Sequence, residues 1–195
     1  MRERHHLVPA VLAAVLVLVA ASAHAAPTGF GIGAHGGYGK SADAESGSPL
    51  AGAHVAMNIA DWLGVVGSVE FKFKEDHVEE GIDYDVESYP VMVLGRVYLP
   101  LMGVVSYVTG GAQYRIIRYS GELFDEYDVD DSENSFGWIL GAGASFGSSE
   151  RFELFGEVLY EINDPDRDLD NALENAGDFE YNQWSLRAGL TFFFD

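Results

Sequence analysis

Apolar residues recur at every second position through most of this chain, in stretches of about 10 to 13 residues separated by turn-forming or acidic segments. A period of two belongs to extended strands whose faces meet different surroundings, so this alternation excludes most helical and mixed folds at once. The clearest stretch is Leu63 to Lys74. Leu63, Val65, Gly67, Val69, Phe71 and Phe73 form one face, and Gly64, Val66, Ser68, Glu70, Lys72 and Lys74 form the other. In Tyr89 to Leu99, Val91, Val93 and Val97 oppose Met92, Leu94, Arg96 and Tyr98. Phe136, Trp138 and Leu140 oppose mainly glycine and serine; Leu154, Val158 and Ile162 oppose Glu153, Glu157 and Glu161; Trp184, Leu186 and Leu190 oppose Ser185, Arg187 and Thr191. A tilted strand of about this length crosses a bilayer.

The stretches fall near residues 28–39, 50–60, 63–74, 88–99, 104–119, 135–147, 151–162 and 182–194. An even number of strands lets an up-and-down sheet close with both ends on one side. The connectors alternate in length. Those at 40–49, 75–87, 120–134 and 163–181 are long and acidic, whereas Ala60-Asp61-Trp62, Pro100 to Gly103 and Gly147 to Glu150 are short. The pattern predicts an all-β fold: an eight-stranded antiparallel up-and-down transmembrane β-barrel, with long loops on one rim and tight turns on the other. A soluble barrel of the lipocalin sort also alternates, but it places its large apolar residues inside. Here aromatics gather at strand ends (Tyr38, Trp62, Phe73, Tyr89, Tyr107, Tyr119, Phe136, Trp138, Phe152, Tyr160, Trp184 and Phe194), as they do at membrane interfaces, and the opposite face mixes glycine with both signs of charge.

The beginning of the chain has another character. Arg2 and Arg4 precede an apolar run from Leu7 to Ala21, and Ala23-His24-Ala25 offers a small-x-small cleavage site. Residues 1–25 are therefore expected to be a signal peptide and residues 26–195 the barrel domain. The formal net charge of −20 argues against nucleic acid as a partner, since phosphate binding relies on clustered Lys and Arg. There is no cysteine, which excludes disulfides, thiolate catalysis and lipid attachment at a cysteine.

At the C-terminus, Gly189-Leu190-Thr191-Phe192-Phe193-Phe194 fits a glycine, two residues, hydrophobic, any, aromatic pattern, followed by Asp195. This resembles the recognition signal of the barrel assembly machinery, with Gly189, Phe192 and Phe194 as its marked positions. Tyr89 to Pro100 (YPVMVLGRVYLP) and Tyr107 to Arg115 (YVTGGAQYR) look like the matching hairpin of the OmpA/OmpX-like family of small outer-membrane barrels. The resemblance implies a Gram-negative-type outer membrane, contact with its lipid and lipopolysaccharide, and delivery by the assembly machinery. Family members with a peptidoglycan-binding domain carry it after the barrel. This chain stops at its last strand, so a lone barrel is expected.

An eight-stranded barrel is only just wide enough for its interior side chains to fill it. The predicted inward set includes Glu70, Lys72, Arg96, Gln113, Arg115, Glu153, Glu157, Glu161 and Arg187. Buried charges must pair or hydrogen-bond, so Glu70, Arg96, Arg115, Glu157 and Arg187 are expected to form an interior polar network. Were the 40–49 loop centred near its middle, His35 and His54 would lie directly opposite each other in the lumen. A turn centred on Asp61 would set His54 against Ser68, with Glu70 nearby. Serine, histidine and carboxylate are the raw material of nucleophilic catalysis, and two histidines could hold a metal; hydrogen-bonded interior residues are the plainer reading. Asp164 to Asp170 spaces carboxylates like a calcium loop but has Leu169 where the glycine should stand and Asn175 where the bidentate Glu should be, which excludes an EF-hand. Gly29-x-Gly31-x-Gly33 and Gly141-x-Gly143 lie within predicted strands with no helix following, so they are packing glycines and not phosphate cradles.

The sequence thus points to a non-enzymatic barrel without cofactor or metal, with a structural or surface-interaction role in its acidic loops, where an extracellular ligand would bind. The alternatives are a barrel-embedded lipid-modifying hydrolase of the lipid A deacylase kind, using His54, Ser68 and Glu70, and a small gated channel.

Overall fold

The structure is a computed structural model and describes residues 29–42, 44, 46–79, 82–101, 104–120, 132–146, 151–165 and 182–194. The expected signal peptide and the acidic residues 121–131 and 166–181 lie outside these. Eight strands follow in chain order: β1 (Gly29–Ser41), β2 (Ser48–Ala60), β3 (Leu63–Glu79), β4 (Ile82–Leu101), β5 (Val104–Ser120), β6 (Ser132–Phe146), β7 (Phe152–Pro165) and β8 (Gln183–Phe194). Each is antiparallel to its neighbour, and β8 returns to pair with β1 from Phe30↔Phe194 to Ser41↔Gln183. Closure pairs the backbone of every strand on both sides, which a sheet surrounded by hydrocarbon requires.

Side-chain burial follows the alternation. In β6, Trp138 and Leu140 are each 60 % exposed while Ile139 between them is 0 % exposed. Val55, Val69, Val93, Leu154 and Leu186 likewise face outward, and Glu70, Arg96, Arg115, Glu157, Glu161 and Arg187 are buried. An apolar exterior around a charged interior suits lipid and reverses the arrangement of a soluble barrel. At the short-turn rim the rings Phe30–Phe194, Phe194–Phe192 and Phe192–Phe152 form a chain with centroids 6.2, 5.1 and 5.0 Å apart, stitching β1, β8 and β7 together on the outer surface.

Three expectations need correction. Residues 75–87 are not one long loop: β3 and β4 continue as a paired hairpin from Glu75↔Val86 to Glu79↔Ile82. A ladder that rises above the membrane needs no apolar face, so hydropathy alternation cannot reveal it. Lys74 does not face the lumen. A register shift between Lys72 and Glu75 turns Lys74 outward, where it pairs with Asp85 at 3.0 Å, and turns Glu75 inward to accept hydrogen bonds from the Ser41 backbone N–H and hydroxyl. Tyr107 is not part of an interfacial girdle. It is buried, because odd-numbered positions of β5 face inward. The side chain of Tyr119 lies outside the described residues.

The interior is not charged throughout. Ala56, Val66, Met92, Leu94, Ile139, Leu159 and Phe193 form an apolar belt inside the barrel. It crosses the lumen beside the ion pairs and fills space that water would otherwise occupy.

Candidate functional site

The lumen holds the chemistry-bearing side chains, and they fall into three groups along the barrel axis. Nearest the long-connector rim, Glu161 on β7 is the hub. Lys72 Nζ donates to its two carboxylate oxygens at 3.0 and 2.8 Å, Arg115 donates to Oε2, and Arg187 Nη2 lies 3.3 Å from Oε1. Gln183 Oε1 accepts from Lys72 at 2.6 Å and from Arg115 at 2.9 Å, which ties β8 into the same cluster. Three cations from three strands thus converge on one carboxylate, a geometry that only closure of the sheet can assemble.

The second group lies one step toward the short turns. Arg187 Nη1 bonds Glu70 Oε1 at 2.9 Å, so this one guanidinium joins Glu161 to Glu70. Glu70 Oε1 is also 2.7 Å from His35 Nε2; His35 Nδ1 is 3.2 Å from His54 Nδ1; and His54 Nε2 is 2.9 Å from Thr191 Oγ1. Four residues from β3, β1, β2 and β8 thereby make an unbroken chain of contacts. Arg96 anchors the third group. Its Nη2 donates to Glu157 Oε2 at 2.9 Å, and its guanidinium stacks over Tyr107 at 4.5 Å and Phe155 at 5.1 Å from the ring centroids. Tyr107 donates its hydroxyl to the same Glu157 oxygen at 2.9 Å.

The histidines meet differently from the directly opposed arrangement anticipated above. The β1–β2 register sets His35 against Gly52 and His54 against Gly33, two positions away from direct opposition. Each ring lies over the glycine facing it: a Cβ on Gly33 would collide with the His54 ring, and one on Gly52 would collide with His35 Nε2. Two glycines therefore make the room that two imidazoles use. Because sequence reasoning assumed a symmetric loop, it missed this diagonal. Reading Gly33 and Gly52 as the required gaps could have revealed it.

The β2–β3 register does place His54 opposite Ser68. The hydrolytic constellation nevertheless does not assemble. Ser68 Oγ is buried without a hydrogen-bond partner, and Glu70 contacts His35 instead of His54. Hydrolysis requires a nucleophile held by its base and the base oriented by an acid, and these residues do not stand in that order. Among the described residues, no group of three or more His, Asp or Glu side chains is placed to hold a metal. Gly189 faces the lumen where His35 and Phe155 pack against it, while Phe194 lies on the outer aromatic chain with Phe192. Sequence reasoning put Thr191 on the polar face and Tyr107 at the interface but gave neither of them, nor Gln183, a place in the interior network, where their polar atoms complete the three groups.

The sequence profile of the family described as outer membrane protein beta-barrel domain matches residues 10–192. No curated protein matches the chain. Among solved structures, a major outer membrane protein from Thermus thermophilus is similar over 84% of this chain and 97% of its own, at 14% identity and a TM-score of 0.55. Neisserial surface protein A is similar over 86% and 98%, at 13% identity and a TM-score of 0.52. OprG of Pseudomonas aeruginosa is similar over 85% and 96%, at 14% identity and a TM-score of 0.51. At such identities the likeness concerns the fold.

Proposed function

The chain belongs to the outer membrane protein beta-barrel domain family and resides in the outer membrane of a Gram-negative-type bacterium, and from that premise we propose that it is a non-enzymatic anchor whose filled barrel presents acidic loops at the cell surface. The observation that carries this reading is the interior. Glu161, Glu70 and Glu157, with Lys72, Arg115, Arg187 and Arg96, fill successive levels of a barrel only eight strands around, and an apolar belt packs beside them. Such a lumen is a rigid core with little room for a substrate or a hydrated ion.

The variable chemistry then resides in the long connectors, whose carboxylates (Glu122, Asp125, Glu126 and Asp128 in one, Asp166, Asp168, Asp170 and Glu174 in another) favour cations or a positively charged partner over nucleic acid. Divalent cations could bridge them to lipopolysaccharide phosphates. Residues 1–25 serve as the export signal in this reading, and Gly189, Phe192 and Phe194 as the signal read by the barrel assembly machinery.

Planar-bilayer recording from the purified mature protein tests the anchor reading. No unitary conductance is expected, and a stable open level would replace the anchor with a channel. A hydrolase is tested separately by comparing lipid A from cells making the wild type and Ser68→Ala. Identical mass spectra are expected, and loss of a lipid species in the variant alone would restore the enzymatic alternative.

A further inference from the structure

The chain of contacts from Glu70 to Thr191 has a direction that its chemistry fixes. Glu70 pairs with Arg187 at 2.9 Å and is therefore ionised, so it can only accept hydrogen bonds. His35 Nε2, 2.7 Å away, must donate to it. A neutral His35 then has a bare Nδ1, and His54 Nδ1 at 3.2 Å must supply the proton between the two rings. His54 Nε2 is left as the acceptor, and the Thr191 hydroxyl at 2.9 Å donates to it. Every hydrogen bond in the series points toward Glu70. The reverse order would set a bare His35 nitrogen against a carboxylate.

We propose that the His35–His54 pair is a buried site for one proton, and that taking it up reverses the His35–His54 and His54–Thr191 hydrogen bonds while His35 goes on donating to Glu70. A proton from water, as hydronium, adds to His54 Nε2, and the proton on His54 Nδ1 crosses to His35 Nδ1; two N–H bonds form, one N–H bond and one hydronium O–H bond break, and the pair gains a single positive charge. His35 becomes an imidazolium against Glu70, while His54 stays neutral and now donates from Nε2 to Thr191 Oγ1. A second proton has no place: it would put two N–H groups face to face at 3.2 Å.

The surroundings favour one proton over two. β3 presents Glu70 and Ser68, β4 presents Arg96, β7 presents Glu157 and Phe155, and β8 presents Arg187 and Thr191. Glu70 gives the first proton a hydrogen-bonded carboxylate, whereas the second would face Arg96 across the site with only a hydroxyl as its direct partner. This site is independent of the anchoring role, and it gives the lumen a charge state that depends on external acidity.

The test is the nitrogen resonances of the two rings in the mature protein held in phospholipid discs, titrated from about pH 8 to about pH 4. His54 is expected to carry its proton on Nδ1 at the start. With uptake of a single proton its Nδ1 and Nε2 signals exchange positions, and His35 alone becomes doubly protonated. A His54 protonated on Nε2 from the start overturns the proposal. So does uptake of two protons in one step, or no uptake before the barrel unfolds. Glu70→Gln should weaken the first uptake about tenfold or more, and Thr191→Val should weaken it while leaving the starting tautomer of His35 unchanged. Unchanged uptake in both folded variants overturns the relay. If neither variant folds, the wild-type tautomer decides. Zinc alone at neutral pH should leave both rings unshifted; a zinc-induced shift would mean a metal site instead.

Discussion

Glu161 and Glu157 stand four residues apart on the same inward face of β7, yet they hold the barrel together in different ways. Glu161 gathers Lys72, Arg115 and Arg187; among the described residues it is the carboxylate that Lys72 and Arg115 pair with, while Arg187 also holds Glu70 at 2.9 Å. Glu157 has one cation at hydrogen-bond distance, Arg96, which also rests on the faces of Tyr107 and Phe155; Arg187 lies 4.0 Å away. The difference shows where a buried charge is expensive. Removing Glu161 leaves Lys72 and Arg115 without their carboxylate and Arg187 with Glu70 alone, whereas removing a carboxylate that meets a cation already stacked between rings leaves a smaller deficit.

The comparison breaks most readily at Glu161. Glu161→Gln keeps the shape but removes the charge, and it should cost about 3–5 kcal/mol, the range for breaking a buried pair by removing one partner. Urea unfolding from phospholipid vesicles, followed by tryptophan emission, measures it. Gel mobility of unboiled samples should show a larger unfolded fraction in parallel. Glu157→Gln should cost about 1–3 kcal/mol in the same assay, since Arg96 keeps its ring contacts and the Tyr107 hydroxyl can turn to the new amide oxygen. Equal costs at the two positions would mean that the number of converging cations does not set the penalty.

Much of the frame for this contrast could be read from residue order. In β3, the alternation of Leu63, Val65 and Val69 with Val66, Ser68 and Glu70 assigns both faces without any knowledge of neighbours. It fails at Lys74 because the register shift after Lys72 changes the parity, and a shift of this kind leaves no mark on hydropathy. Ile139, Leu159 and Phe193 escaped for a related reason. They are apolar residues on the inward side of strands that are also apolar outside, so the period-two contrast vanishes where the inner belt lies. Tyr107 could have been placed inward from Arg115, which shares its parity in β5; a preference for aromatic girdles overrode that count.

The partners were the least accessible part. Lys72 and Glu161 are 89 residues apart and sit on β3 and β7, which are not neighbours in the sheet, so no local spacing links them. Only closure brings such side chains together, and it does so according to strand tilt and register, which the connectors set. The histidine pair shows how little error is needed. A shift of two positions in β1 against β2 exchanges direct opposition for a diagonal across Gly33 and Gly52, and although His54 still faces Ser68 on β3, its ring contacts Thr191 on β8.

The smallest effect sharpens the comparison from the other side. Around Glu161 and Glu70 the cations Lys72, Arg115 and Arg187 outnumber the carboxylates, and Arg115 is the one whose loss leaves both acids paired: Glu161 retains Lys72 and Arg187, and Glu70 retains Arg187 and His35. Gln183 also keeps its bond from Lys72. Arg115→Gln should therefore change stability by about 1 kcal/mol or less, because the lost attraction to Glu161 is offset by relief of repulsion among three neighbouring cations. A cost approaching that of Glu161→Gln would show that the cluster depends on every member equally, and the hub role assigned to Glu161 would have to be given up.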